Sequence, residues 1–188
     1  MNDSRPIEAE VRGTGEGGAT HDGGGTEEGA LRGVSEELFK EALSYHAAGV
    51  TVVAIRDGKE VHATTVSSFI PVSASPPRVL VSVGGNAQVL PFLEEGRRFV
   101  VNLLEAGQRR LASVFADSFP VGPSPFPEGG EPEIPGALVS LRCRATTLMD
   151  TDGGLVVLAR VEAARLRGEG TALIHYRRGY HALEEDRD

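Results

Sequence analysis

The chain has 188 residues, 40% of them hydrophobic, and a formal net charge of −8. That is apolar material for one respectable core, so one domain, with or without a tail, is expected. The acidic balance argues against nucleic acid or an anionic membrane as partner, since both call for clustered Lys and Arg.

No apolar run approaches the length of a membrane span, and the start, MNDSRPIEAEV, lacks the basic and apolar regions of a secretory signal. A cytoplasmic protein that meets small molecules or other proteins is the expectation. Cys143 is the single cysteine, so an intramolecular disulfide or a CxxC site is excluded. Within an apolar-alternating segment it reads as a half-buried strand residue.

Residues 1 to 33 include GTGEGGATHDGGGTEEG, are rich in Gly and acid, and carry seven acids against three arginines. Such a segment buries too little to offset its ordering entropy and reads as a disordered tail, with the folded domain at 34–188. Ser35 is a helix N-cap, Glu36 and Glu37 suit the first turn, and Leu38, Phe39, Ala42, Leu43 and His46 share a face of a helix ending near Gly49. His46 reads as a core-edge residue.

VTVVAIR, the turn Asp57 to Glu60, and VHATTVSSF read as a hairpin of β-branched strands. RVLVSVGG is a third strand, NAQVLPFLEEG a short helix, RRFVVNLL a strand, and EAGQRRLASVFA a helix with Leu111, Val114 and Phe115 on one side. A Pro- and Gly-rich loop leads to two longer strands, GALVSLRCRATTLMD and GGLVVLARVEAARL, joined at Thr151 to Gly154. TALIHYRRGYHAL reads as a last strand with a polar, aromatic extension. Short turns and few helices favour a mainly β, closed antiparallel barrel with two or three peripheral helices over a doubly wound fold.

The stretch HATTVSSFIPVSASPP stands apart. Alternation places Thr64, Val66 and Ser68 on one face and Thr65, Ser67 and Phe69 on the other, so hydroxyls occur on both. Short hydroxyl side chains let a flat polar ligand approach the backbone; an edge strand wetted on one side is the alternative. Pro76 and Pro77 end the strand because neither can donate a ladder bond.

These residues are similar to those of the flavin reductase-like, FMN-binding split-barrel family. HATTVSSFIPVSASPPRVLVSV carries the likeness, and AAGVTVVAIRDG, NAQVLPFLEEGRRFVVNLLEAGQRRLASVFA, IPGALVSLRCRA and IHYRRGYHAL follow in the family's order over roughly 35 to 183. The resemblance implies a six-stranded, Greek-key split β-barrel that forms a homodimer, with one flavin per subunit at the dimer interface. It places the isoalloxazine against Thr65, Val66, Ser67 and Ser68.

The ribityl phosphate would lie on the turn Val83, Gly84, Gly85, Asn86, Ala87, Gln88 and Val89, where Gly84 and Gly85 can form a backbone anion nest. The arginines and hydroxyl common in the family are missing from this turn, and Val89 offers none, so a flavin held loosely, or FAD used as well as FMN, is expected. A Gly-Asp-His that many nicotinamide-using members carry is here Asp152, Gly153 and Gly154, without the histidine. Tyr176, Arg177, Arg178 and Gly179 match the family's C-terminal piece and would contact the nicotinamide nucleotide, with Tyr180, His175 and His181 beside them; covering the barrel end is their alternative role.

The implied function is an NAD(P)H-dependent flavin reductase that passes hydride from NADH or NADPH to FMN or FAD and supplies reduced flavin to a partner monooxygenase. A non-catalytic FMN electron carrier and a split-barrel binding protein with a decayed flavin site are the alternatives. No side chain is expected to act as acid, base or nucleophile, and no metal site is expected, because the two nucleotides carry the chemistry. Glu94, Glu95 and Glu184 to Asp186 read as solvated charges.

Overall fold

The computed structural model describes residues 33–118 and 122–183. The expected tail, Gly33 aside, lies outside them. In chain order the elements are α1 (Glu36–Ser44), β1 (Ala48–Gly49), β2 (Thr51–Asp57), β3 (Glu60–Val66), β4 (Phe69–Ala74), β5 (Pro77–Gly84), β6 (Arg98–Leu103), α2 (Arg109–Ala116), β7 (Val139–Thr151), β8 (Gly154–Leu166), β9 (Leu173–Tyr176) and β10 (Gly179–Ala182).

The large sheet runs β3-β2-β6-β7-β8-β5-β4 with antiparallel neighbours; a small sheet runs β1-β9-β10. The β4–β5 ladder runs one rung past Phe69 and Val81: the Ser82 amide donates to the Ser68 carbonyl at 3.2 Å, and Ser68 Oγ donates to Ser82 O at 2.6 Å. β3 and β5 come near each other without strand pairing and bound the seam of the split barrel. The seventh strand arises because Phe69–Ala74 folds back on β5 as a hairpin of its own.

β2 explains how the sheet is held. Thr51 to Ile55 are all buried, because both faces of this strand are covered. Val53 and Ile55 join Val81, Phe99 and Val157 inside the barrel, whereas Val52 and Ala54 meet Ala112, Phe115 and Leu173 outside it, beneath α2. Full burial of each such side chain contributes roughly 1.5–3 kcal/mol. Asn102, also fully buried, ties the long loop down: its Oδ1 accepts from the Ile134 amide and from Ser140 Oγ, and its Nδ2 donates to Pro132 O.

Several expectations need correction. The segment 86–96 is not an α-helix: only the 3-10 turn Leu90–Phe92 forms, because Pro91 removes a donor and Gly96, at φ +83°, ends it. The hydroxyl strand stops at Val66, and Pro77 begins β5 instead of ending its predecessor; Pro71 is tolerated in β4 because that strand is a sheet edge. Ser35 does cap α1, accepting from the Leu38 amide, yet the helix stops at Ser44 and buries none of its residues. His46 is therefore exposed rather than at a core edge. Cys143 is fully buried, not half-buried. The final strand is two short ones, β9 and β10, turned by Arg177 and Arg178, whose φ of 48° and 62° close the hairpin.

Candidate functional site

The β4–β5 hairpin, whose ladder continues to Ser68 and Ser82, brings the 65–68 stretch close to the start of the 83–89 turn. Their hydroxyls are not equivalent. Thr65 Oγ1 donates to Ala112 O of α2 at 2.9 Å, and Ser68 Oγ is committed to Ser82 O. Val66 faces the core, and its carbonyl accepts from Thr51 Oγ1 at 3.0 Å. Ser67 is exposed and has no hydrogen-bond partner among the described residues. Thr65 and Ser68 thus spend their hydroxyls on the frame, whereas that of the exposed Ser67 is open to a ligand.

The turn after β5 departs from the glycine nest expected of it. The Gly85 amide donates to Gly153 O at 2.9 Å and the Ala87 amide to Gly84 O at 3.0 Å. The amides of Asn86, Gln88 and Val89 find no acceptor among the described residues. Val83 and Val89 anchor the turn with wholly buried side chains. Asn86 Nδ2 and Gln88 Nε2 donate to Ser118 Oγ and Ser118 O at 3.0 and 2.8 Å, bracing the turn against the chain beyond α2. Sequence reasoning missed Ser118, which sits 30 residues from Gln88 and carries no local signal. Ser67 Oγ and the amides of Asn86, Gln88 and Val89 are polar groups left without a partner among the described residues.

Gly154 has a structural explanation. It pairs with Gly84 across β8 and β5 at φ +153°, and a Cβ there would stand 2.1 Å from Val83 O. The strands approach too closely for any side chain, so the histidine of the Gly-Asp-His pattern does not fit this backbone. Beside Gly85 and Gly154 a cleft of about 480 Å³ opens, with Leu93, Leu148 and Leu155 in its wall.

The β9–β10 turn lies on the small sheet and turns towards α1. The Arg177 amide donates to Ser44 O at 2.8 Å, its guanidinium lies 4.7 Å from the Tyr45 ring centroid and 5.7 Å from that of Tyr176, and Arg178 pairs with Glu41 at 3.1 Å. Arg178 thus meets α1 through an exposed ion pair, and the guanidinium of Arg177 lies against Tyr45 and Tyr176. Tyr180 sits against α2, where burial raises its phenol pKa and a hydrogen bond with Ser113 opposes the shift. Burial, helped by the nearby Glu162 carboxylate, pushes the Cys143 thiol up to about 12, which leaves it a packing residue without thiolate chemistry. Among the described residues no group of His, Cys, Asp and Glu is arranged to hold a metal, and no helix is long and apolar enough to cross a membrane.

Comparison with known proteins shows the family and the fold. The flavin reductase like domain profile matches residues 43–184. The chain is 39% identical over 148 residues to the reductase component of 4-hydroxyphenylacetate 3-monooxygenase from Thermus thermophilus, covering 79% of this chain and 97% of that protein. It is 30% identical over 157 residues to the FMN reductase (NADH) RutF of Escherichia coli, covering 80% of this chain and 95% of the relative. Among solved structures, the flavin reductase PheA2 superposes with a TM-score of 0.72 at 28% identity, over 81% of this chain and all of that one. The Streptomyces globisporus NADH:FAD oxidoreductase SgcE6, solved with NAD and FAD fragments, gives a TM-score of 0.71 at 29% identity over 81% of this chain and 96% of its own.

Proposed function

Because the chain belongs to the flavin reductase like domain family, we propose that it is an NADH-dependent flavin reductase whose product, reduced FMN or FAD, serves a partner monooxygenase. The observation that carries this reading is the coverage of a monooxygenase reductase component almost from end to end. Enzymatic relatives favour it over the electron-carrier and decayed-site alternatives. The nicotinamide ring donates hydride and the flavin accepts it; the two substrates supply the redox chemistry, and the protein supplies stacking, orientation and exclusion of water. No ionisable residue need take part.

In this reading Ser67 and the backbone of Thr65 to Ser68 meet the flavin ring, and the free amides of Asn86, Gln88 and Val89 meet its phosphate. The β9–β10 hairpin braces α1 and reaches a nicotinamide only indirectly. Residues 34–188 form the reductase domain, and the protein acts in the cytoplasm. A homodimer is supported by the apolar surface left on α1 and β4: Leu38, Phe39, Leu43, Ile70 and Val72 are each about half exposed.

The test is consumption of NADH or NADPH by the purified chain with FMN, FAD or no added flavin. Turnover that requires flavin and saturates with it is expected. A yellow protein that retains flavin without oxidising NADH would turn the reading to an electron carrier.

A further inference from the structure

The turn assigned to the flavin phosphate carries no charge of its own. Val83 to Val89 contains no lysine, arginine or histidine, so a phosphate there meets backbone amides alone. One of those amides is already taken, since Gly85 donates to Gly153 O at 2.9 Å. The side-chain amides of Asn86 and Gln88 are spent on Ser118.

The cleft of about 480 Å³ beside this turn supplies a charge, and it is negative. Asp150 lines it together with Gly85 and Gly154, and no lysine or arginine does. Asp150 stands near the end of β7, opposite Leu155 of β8. Leu155 lies in the barrel core, and Leu148, two residues before Asp150 and on the same face, packs against that core. Strand pairing therefore holds Asp150 on the face that borders the turn. The residue is exposed, and its carboxylate has neither ion pair nor hydrogen bond among the described residues. An anion held at the turn faces that carboxylate with no cation in the cleft to offset it.

We propose that Asp150 is a specificity-determining residue that weakens the hold on the flavin phosphate, so that flavin is bound chiefly through its ring and exchanges as a substrate. The inference rests on the flavin reading above, which puts the phosphate at the amides of Asn86, Gln88 and Val89. A phosphate monoester such as that of FMN carries about two negative charges near neutral pH, whereas riboflavin has no phosphate. Repulsion between like charges falls with distance and is screened over about 10 Å at 0.1 M salt. Asp150 therefore acts on FMN and not on riboflavin, and acts most at low ionic strength.

The experiment titrates the full chain with FMN and with riboflavin, by flavin fluorescence at low and high salt, in wild type, Asp150→Asn, Asp150→Lys and Glu169→Gln. Asp150 is exposed and its side chain unbonded, so both of its variants keep the fold. Glu169 is also exposed and lies beyond the far end of β8, a strand of 13 residues that runs for about 40 Å, so its variant removes an equal charge far from the turn. Asp150→Asn is expected to tighten FMN about threefold at low salt and Asp150→Lys about tenfold, with the gain shrinking at high salt. Riboflavin affinity should stay put, and Glu169→Gln should match wild type. Equal gains for FMN and riboflavin would place the effect on the ring or the fold, and an equal gain in Glu169→Gln would place it on the overall charge; either result overturns the role of Asp150. So does an FMN affinity that no variant moves, while the flavin reading stands because both ligands still bind. Failure of FMN and riboflavin alike to bind the wild type breaks the flavin reading, and the role of Asp150 falls with it.

Discussion

Two polar stretches drew attention in the sequence, HATTVSSF and IHYRRGYHAL, and the structure uses them in opposite ways. The first ends on the seam of the barrel, where Thr65 and Ser68 spend their hydroxyls on Ala112 and Ser82 and leave Ser67 open. The second turns away from the seam and closes on α1 through Arg177 and Arg178. A polar side chain already satisfied inside the fold builds the frame, and one left unsatisfied at a seam is available to a ligand.

The seam tolerates least change at Gly154. Placing the family's histidine there, Gly154→His, drives a Cβ into Val83 O and is expected to cost about 3 kcal/mol, read as a fall in the urea midpoint. Unchanged stability would mean that β5 and β8 can part, and that the missing histidine is a choice of chemistry.

Ser67→Leu should weaken flavin binding at least tenfold while leaving the urea midpoint within experimental error, because the side chain is exposed and unbonded. Unaltered affinity in a fluorescence titration would remove Ser67 from the site. Ser68→Ala reverses that pattern: loss of the bond to Ser82 O should cost about 1 kcal/mol of stability and change flavin affinity less than Ser67→Leu does. Arg177→Ala should have the smallest effect, about 0.5 kcal/mol from the lost contact with Tyr45, with KM for NADH within about twofold of wild type. A larger rise in KM would return the hairpin to the nicotinamide site.

Which parts were legible beforehand follows from the range of the forces involved. The Ser35 cap, the β2–β3 hairpin, α2 and the β7–β8 ribbon could be read from neighbouring residues, since capping, turn chemistry and alternation are local. The 86–96 segment misled because its apolar residues are spaced for a helix while Pro91 forbids one. The glycine nest misled because strand pairing, which no local pattern displays, takes the Gly85 amide for Gly153.

By itself the sequence determined the mainly β fold and the family, because pattern and motif survive without coordinates. Only the tertiary structure decided which hydroxyls are free, that Ser118 braces the turn, that no side chain fits at Gly154, and that Asp150 shares a cleft with Gly85. Each of these depends on a partner about thirty or more residues away in the chain, or on the closeness of two strands, and the chain acquires both only when the barrel closes.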